Sequence, residues 1–460
     1  MSVKRNRYEI DMCSGSVLDK LISFSIPLMF SGILQLLFNA VDIVVVGRFS
    51  GSQALAAVGS TSALISVFIN LFIGVSLGAN VLAARYYASG REKEMSETVH
   101  TSITFALISG VVMVFVGLVC ARGVLELMGT PADVIDQSTL YMRIFFLGMP
   151  FFMLYNYGAA ILRAVGDTKR PLMFLMIAGV INALLNLFLV IVVHMGVAGV
   201  GIATVFSQFI SCVLVLRCLY KSEGCYQFRF SKMTLKWSHL KQIFQIGIPA
   251  GIQSTVINFS NVLLQSSVNS FGSIAMAGYT AANNILGFLF TSINSVSQAC
   301  MSFTSQNYGV GNLKRMDKVL RGCILISVVV AVTLGGGAYL FGPQILGIYT
   351  SDPAVVQSGM EILLYTTSTY FMCGLMDLFP SAMRGMGYSA APMILSIIGT
   401  VGTRIVWIYW IFPKFRALDL LFISYPASWV ITVLMQIVCY YFVRKQVKAR
   451  LIQRAETTKV

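Results

Sequence analysis

Continuous apolar runs, each long enough to cross about 30 Å of hydrocarbon as a helix, recur along this whole chain, and no other feature narrows its possible folds so far. Twelve are read, near 17–46, 54–88, 97–121, 136–160, 171–193, 196–219, 240–270, 276–307, 322–342, 356–382, 390–412 and 418–443. They do not alternate polar with apolar, as the roughly ten-residue strands of a membrane barrel would. The fold class is therefore all-α integral membrane. Composition agrees, since 57% of the 460 residues are hydrophobic and 11% are charged, too apolar a balance for a water-soluble globule.

A net charge of +15 would suggest nucleic acid in a soluble chain. Here roughly 27 of the 33 basic residues fall at the amino-terminal tail, the even-to-odd loops and the carboxyl-terminal tail, in stretches beside spans such as "KRNR", "REK", "DTKR", "LKRMDK" and "VRKQVKAR". Lys and Arg beside a span tend to stay in the cytoplasm, so both termini are expected there, with membrane lipids rather than nucleic acid as the partner of these charges. The opening "MSVKRNRYEIDMCSGS" is polar and the first run is too long for a signal-peptide core, so that run is expected to remain as helix one. Nine scattered cysteines, with no CxxC pair and no histidine nearby, indicate neither a disulfide framework nor a zinc site.

The chain is also internally repeated. Shifted by 221 residues, "ALAAVGSTSAL" at 54 overlies "AMAGYTAANNI" at 275, and "RAVGDTKRP" at 163 overlies "RGMGYSAAP" at 384. Tyr87 meets Tyr308, Gly90 meets Gly311, Gly166 meets Gly387 and Pro171 meets Pro392; before the second run the shift is 222, which brings Pro27 onto Pro249. Six spans per copy, an even number, give both copies one orientation, a parallel repeat about an axis along the membrane normal. The expected domains are a cytoplasmic tail over 1–16, a six-helix bundle over 17–219, a cytoplasmic linker over 220–239, a second six-helix bundle over 240–443 and a basic cytoplasmic tail over 444–460. The linker reads as an amphipathic surface helix that tethers the bundles. The other loops are short and leave no room for a soluble catalytic domain.

The stretch "ILRAVGDTKRP", followed by "VINALLNLFLV" and "GVAGVGIATVFSQ", resembles the multidrug and toxic compound extrusion (MATE) family, as does "RGMG" in the second half, and the likeness extends over nearly the whole chain. The resemblance implies the MATE fold in a bacterial or archaeal inner membrane, and a secondary active transporter that exports organic cations or amphipathic compounds in exchange for H+ or Na+. It implies no cofactor. Two bundles of one orientation suit alternating access, by a chain expected to act as a monomer on a small-molecule substrate. A lipid-linked precursor or metabolite exporter of the same superfamily is the alternative. An intramembrane enzyme would need clustered acids, histidines or metal ligands, whereas His100, His194 and His239 lie far apart at span ends and no DDxxD motif occurs.

The repeat separates polar residues that the architecture requires from those it does not. Asp42 falls opposite Leu264, Asn182 opposite Thr403, Asn186 opposite Trp407 and Thr204 opposite Tyr425, so this polar set exists in the first copy only. A charge at mid-helix costs about 2.5 to 3.5 kcal/mol on insertion scales, and a copy of the fold does without it, which points to a site. Asn182 and Asn186 are one turn apart and share a helix face. By resemblance, one prokaryotic branch of the family has an aspartate in helix one, an Asn and an Asp one turn apart in helix five and a threonine in helix six; Asn186 departs from it by replacing a carboxylate. Asp42, Asn182, Asn186 and Thr204 are thus the candidate cation-coupling site, for a proton or for sodium. In the second copy Asp377 and Arg404 stand opposite Asn156 and Ala183, and either pair with each other or form a second substrate or proton site. Gln35, Asn39, Tyr155, Asn156 and Gln208 are further candidates for the substrate cavity, against the reading that each is a packing residue.

Overall fold

The computed structural model describes residues 8–457, and among them every regular element is helical. The first copy supplies α1 (Val17–Phe49), α2 (Ser52–Ala88), α3 (Glu92–Leu127), α4 (Ile135–Leu147), α5 (Met149–Ala164), α6 (Lys169–Leu187) and α7 (Gly196–Lys221). The second supplies α8 (Trp237–Asn269), α9 (Ser273–Gly309), α10 (Leu313–Leu340), the short α11 (Gly342–Gly347), α12 (Pro353–Thr367) and α13 (Tyr370–Gly385). Then come α14 (Ala390–Ser396), α15 (Thr403–Val406) and α16 (Phe412–Phe415), joined by π-helical turns at Ile397–Gly402 and Trp407–Ile411, and finally α17 (Leu418–Thr457).

The repeat is present in the backbone as well as in the letters. The pairs α2 and α9, and α5 and α13, start and end 221 residues apart. Both copies break one span into two helices at the same place, α4 to α5 with a bend of 45° and α12 to α13 with one of 49°. The turns repeat too, because left-handed glycines occur in register at Gly51 and Gly272, Gly90 and Gly311, and Gly166 and Gly387. At Gly166 the requirement is double: φ is +100°, and a Cβ would stand 2.5 Å from the Ile10 carbonyl oxygen.

Among the described residues eight helices are long and apolar enough to cross a membrane, or ten if each bent pair counts as one span. The two others that complete the expected twelve, α8 and α9, carry Gln253, Ser260, Asn261 and Asn294 among their apolar residues, which lowers their hydropathy below that of a lipid-immersed run.

The chain divides into two compact units, residues 8–10 with 30–248 and residues 11–29 with 249–457, which cut across the bundles expected at 17–219 and 240–443. The two cuts that fall inside long helices lie near prolines, Pro27 in α1 and Pro249 in α8, where the missing N–H and the bulk of the ring interrupt the helical ladder. In the first unit the opening of α8 lies directly on α2: a Cβ on Gly78 would come 2.2 Å from the Ile243 carbonyl oxygen, and one on Gly247 2.4 Å from Val75 Cα. In the second unit the opening of α1 packs on α9, with Phe24 edge-on to Phe303 at 5.5 Å, and Asn307 Nδ2 donates to the Met12 carbonyl at 3.1 Å.

The linker also departs from expectation. Past α7 it is irregular apart from one 3-10 turn at Phe230–Lys232, and it is docked on the first unit rather than lying free as a helix. Phe228 and Tyr226 are buried, the Arg229 amide donates to His100 Nε2 at 3.1 Å, and the Lys236 amide donates to Thr101 Oγ1 at 3.2 Å. The expected basic tail over 444–460 continues α17 as helix to Thr457, and the remaining three residues lie outside the described ones, as do residues 1–7 of the expected amino-terminal tail.

Candidate functional site

Asp42 reaches its partners because α1 approaches α6 closely. A glycine makes the approach possible: a Cβ on Gly179 would sit 1.8 Å from ring carbons of Phe38, so the Phe38 ring occupies the space a side chain would fill. Phe38 is one turn before Asp42, and Gly179 is two turns before Asn186, so this contact brings the carboxylate alongside the asparagine pair.

The four candidate residues converge. Asn186 Nδ2 donates to Asp42 Oδ1, and also to Asn182 Oδ1 at 3.2 Å. Thr204 Oγ1 lies 3.4 Å from Asp42 Oδ2 and 3.0 Å from the Val200 carbonyl oxygen, and its single proton can serve only one of these acceptors at a time. Asn182 and Asn186 are buried and Asp42 and Thr204 half-buried. One atom in this cluster is both fully buried and without a partner: Asn186 Oδ1 accepts no hydrogen bond, a state that costs a buried polar group about 1 to 3 kcal/mol. Carboxylate, amide and hydroxyl oxygens together are the donor set of a hard cation, and an amide oxygen left over beside a carboxylate suits one.

The remaining first-unit candidates are not part of this cluster. Gln35 and Asn39 share the Asp42 face of α1, two turns and one turn before it, and are exposed. Tyr155 donates its hydroxyl to the Pro171 carbonyl at 3.3 Å, and Asn156 Nδ2 donates to the Phe152 carbonyl of its own preceding turn at 2.8 Å. Gln208 packs against the chain at Gly148, where a Cβ would meet its Oε1 at 3.0 Å.

In the second unit Asp377 and Arg404 do not pair; no ion pair joins them among the described residues. Asp377 Oδ2 accepts from Asn294 Nδ2 at 2.9 Å, and Asn294 Oδ1 in turn accepts from Gln298 Nε2 at 2.9 Å. Arg404 is buried, donates from Nη1 to Asn261 Oδ1 at 2.7 Å and to Ser260 Oγ at 3.4 Å, and places its guanidinium carbon 4.6 Å from the centroid of the Tyr425 ring. The Tyr425 and Tyr279 hydroxyls are 2.8 Å apart. The ion-pair reading failed because each charge found neutral dipoles on a neighbouring helix instead. Asn294 and Gln298 were missed at the sequence level although the signal was there: they fall opposite Ile73 and Leu77, so comparison of the copies in the second-to-first direction isolates them as it isolates Asp42.

The family model described as MatE matches residues 27–188 and again 249–410, one match in each copy of the repeat. The chain is 29% identical over 442 residues to "Probable multidrug resistance protein YoeA" of Bacillus subtilis, covering 94% of this chain and 95% of that one. It is 25% identical over 412 residues to "Probable multidrug resistance protein NorM" of Thermotoga maritima, covering 87% of each. Among solved structures, it superposes on an outward-facing conformation of a multidrug resistance MATE family transporter of the MOP superfamily with a TM-score of 0.89 at 21% identity, covering 98% of this chain and 100% of that one. A MOP superfamily transporter from Pyrococcus furiosus, described as having a binding pocket of reverse polarity, gives 0.88 at 20% identity, covering 97% and 99%.

Proposed function

Because the chain belongs to the MatE family, a family of membrane transporters rather than enzymes, we propose that it is a secondary active exporter that expels organic cations or amphipathic compounds in exchange for protons or sodium ions. The observation that supports this reading is the buried oxygen cluster of Asp42, Asn182, Asn186 and Thr204, with its unpartnered Asn186 oxygen. Asp42 is the coupling residue. Its one negative charge serves either a cationic substrate or a coupling ion, and competition for that charge links the two fluxes.

Sodium would be held by the Asp42 carboxylate, the Asn182 and Asn186 amide oxygens and the Thr204 hydroxyl, with Asn186 exchanging its donating nitrogen for its free oxygen. A proton would neutralise the carboxylate directly. Either ion removes the electrostatic hold on a cation, and Pro27 gives α1 a place to bend as the site changes its access from one face of the membrane to the other. The substrate class draws support from the relatives' names, which include "Multidrug export protein MepA" of Staphylococcus aureus, 20% identical over 382 residues. In this reading the transporter works as a single chain in a prokaryotic inner membrane with both termini cytoplasmic.

Purified protein in lipid vesicles tests the reading. Wild type is expected to move ethidium against its gradient when a proton or sodium gradient is imposed, and to stop when ionophores collapse it. Asp42→Asn, checked for monodisperse elution in detergent, is expected to lose at least about tenfold in gradient-driven transport. Full transport by that variant would remove Asp42 from the coupling mechanism.

A further inference from the structure

Arg404 is a buried charge that the coupling reaction does not use. It lies about 21 Å along the α14–α16 span from Ala390 and about 16 Å from Phe415, deep in hydrocarbon from either end. Its repeat counterpart is Ala183, so the architecture does not need it. A guanidinium at such depth is normally neutralised by a carboxylate, yet Asp377 is committed to Asn294 and no acid pairs with Arg404 among the described residues.

The donor count shows what is left. Guanidinium carries five N–H groups, and only those of Nη1 are engaged, by Asn261 and Ser260. Nε is buried without a partner, and Nη2 also makes no hydrogen bond but is not sealed from solvent. The Nε and Nη2 edge is the edge of a guanidinium that grips a carboxylate through two parallel hydrogen bonds. The other side of the group rests against the Tyr425 ring, itself fixed by Tyr279, so the fork is held in place before any ligand arrives.

We propose that Arg404, with Asn261 and Tyr425, forms a subsite in the second unit for the anionic group of an amphipathic substrate, so that the transporter prefers zwitterions bearing a carboxylate over cations that lack one. This narrows the substrate class of the exporter proposed above and rests on that reading. The anion supplies the countercharge that the protein withholds.

Rhodamine B and its ethyl ester test the proposal, because the two dyes share one cationic ring system and differ only in whether the carboxylate is free. Fluorescence polarisation on the full-length protein in detergent gives a Kd for each. Wild type is expected to favour the acid, and Arg404→Gln to lower the ratio of the ester Kd to the acid Kd by about tenfold, with Arg404→Lys falling between because it keeps charge without the fork. An unchanged ratio in Arg404→Gln would overturn the proposal. Should the variants lose all binding, the wild type still decides: sodium benzoate is expected to displace rhodamine B at lower concentration than benzamide, and equal potency would count against the subsite. These ratios are read at equilibrium without any ion gradient, so they fail independently of the antiport reading, which fails instead when wild-type vesicles export neither dye under a gradient.

Discussion

At the scale of single residues, Asp42 and Asn186 are joined by a hydrogen bond whose loss has a defined consequence. Asn186→Ala removes the donor to Asp42 and one of the amide oxygens, and gradient-driven ethidium efflux is expected to fall at least about tenfold, whereas Asn156→Ala, which cuts only a bond to its own helix turn, is expected to stay within about twofold. Equal effects in the vesicle assay would dissolve the distinction between the two asparagines. A second expectation concerns the linker. Burial pushes the Cys225 thiol up to about 11, with the Glu92 and Glu9 carboxylates adding to the shift. A thiol so placed holds about 100-fold less thiolate at neutral pH than an ordinary one, and maleimide labelling at Cys225 is expected to be slower by about that factor; labelling at the rate of a free thiol would contradict it. Comparison of the two copies picked out Asp42, Asn182, Asn186 and Thr204, which the fold brings together, because a polar residue absent from one copy is not demanded by the architecture. The same comparison says nothing about which partner a lone charge chooses, and so the pairing of Asp377 with Arg404 was not settled by it. Side-chain dipoles on α8 and α9 decided that matter; the copies mark Asn294 and Gln298, but which charge each dipole meets shows only once the helices are in contact.

Among the elements, close approaches at glycine do the positioning. Gly179→Val would force the Phe38 ring away from α6 and carry Asp42 with it, so efflux is expected to drop to the level of Asp42→Asn even though no polar atom has changed; efflux at the wild-type level would mean that α1 and α6 can separate without cost to the site. Gly78→Ala places a methyl against the Ile243 carbonyl, and about 1 to 3 kcal/mol of destabilisation is expected, read as a lower unfolding temperature in detergent. The positions of the helices were legible in the apolar runs, because hydrocarbon demands continuous helix, but not all of their ends: α10 begins at Leu313 and α17 runs to Thr457, both well outside the apolar stretch. Breaks within runs were not legible either: Gly148 and Pro150 stand at the α4–α5 bend and Thr367, Ser368 and Thr369 at the α12–α13 bend, but such residues also occur inside unbroken membrane helices and do not by themselves mark a break. The docked linker escaped for a similar reason, since its aromatic residues suit a buried contact as well as a membrane surface.

For the molecule as a whole, the two copies share one direction of insertion if the repeat has an even number of spans. Single cysteines placed in "SGREKEMSE" at 89–97 and "NLKRMDK" at 312–318 are then expected to react with an impermeant reagent from the same side, and reaction from opposite sides would refute the parallel repeat. The repeat itself was legible, letter by letter, but the compact units were not, because a sequence alignment follows the chain while packing is free to cross it at Pro27 and Pro249. That crossing has a consequence for synthesis. As the chain leaves the ribosome, the first unit cannot close when its own last helix α7 emerges, since it still lacks residues 237–248, the opening of α8. Residues 11–29, made near the start, must wait for α9 and α10 before they have a surface to settle on. Neither half is therefore expected to mature alone in the translocon. A protein severed at the linker is expected to assemble only when both fragments are produced together, each supplying the other with the short helical segment it was born without.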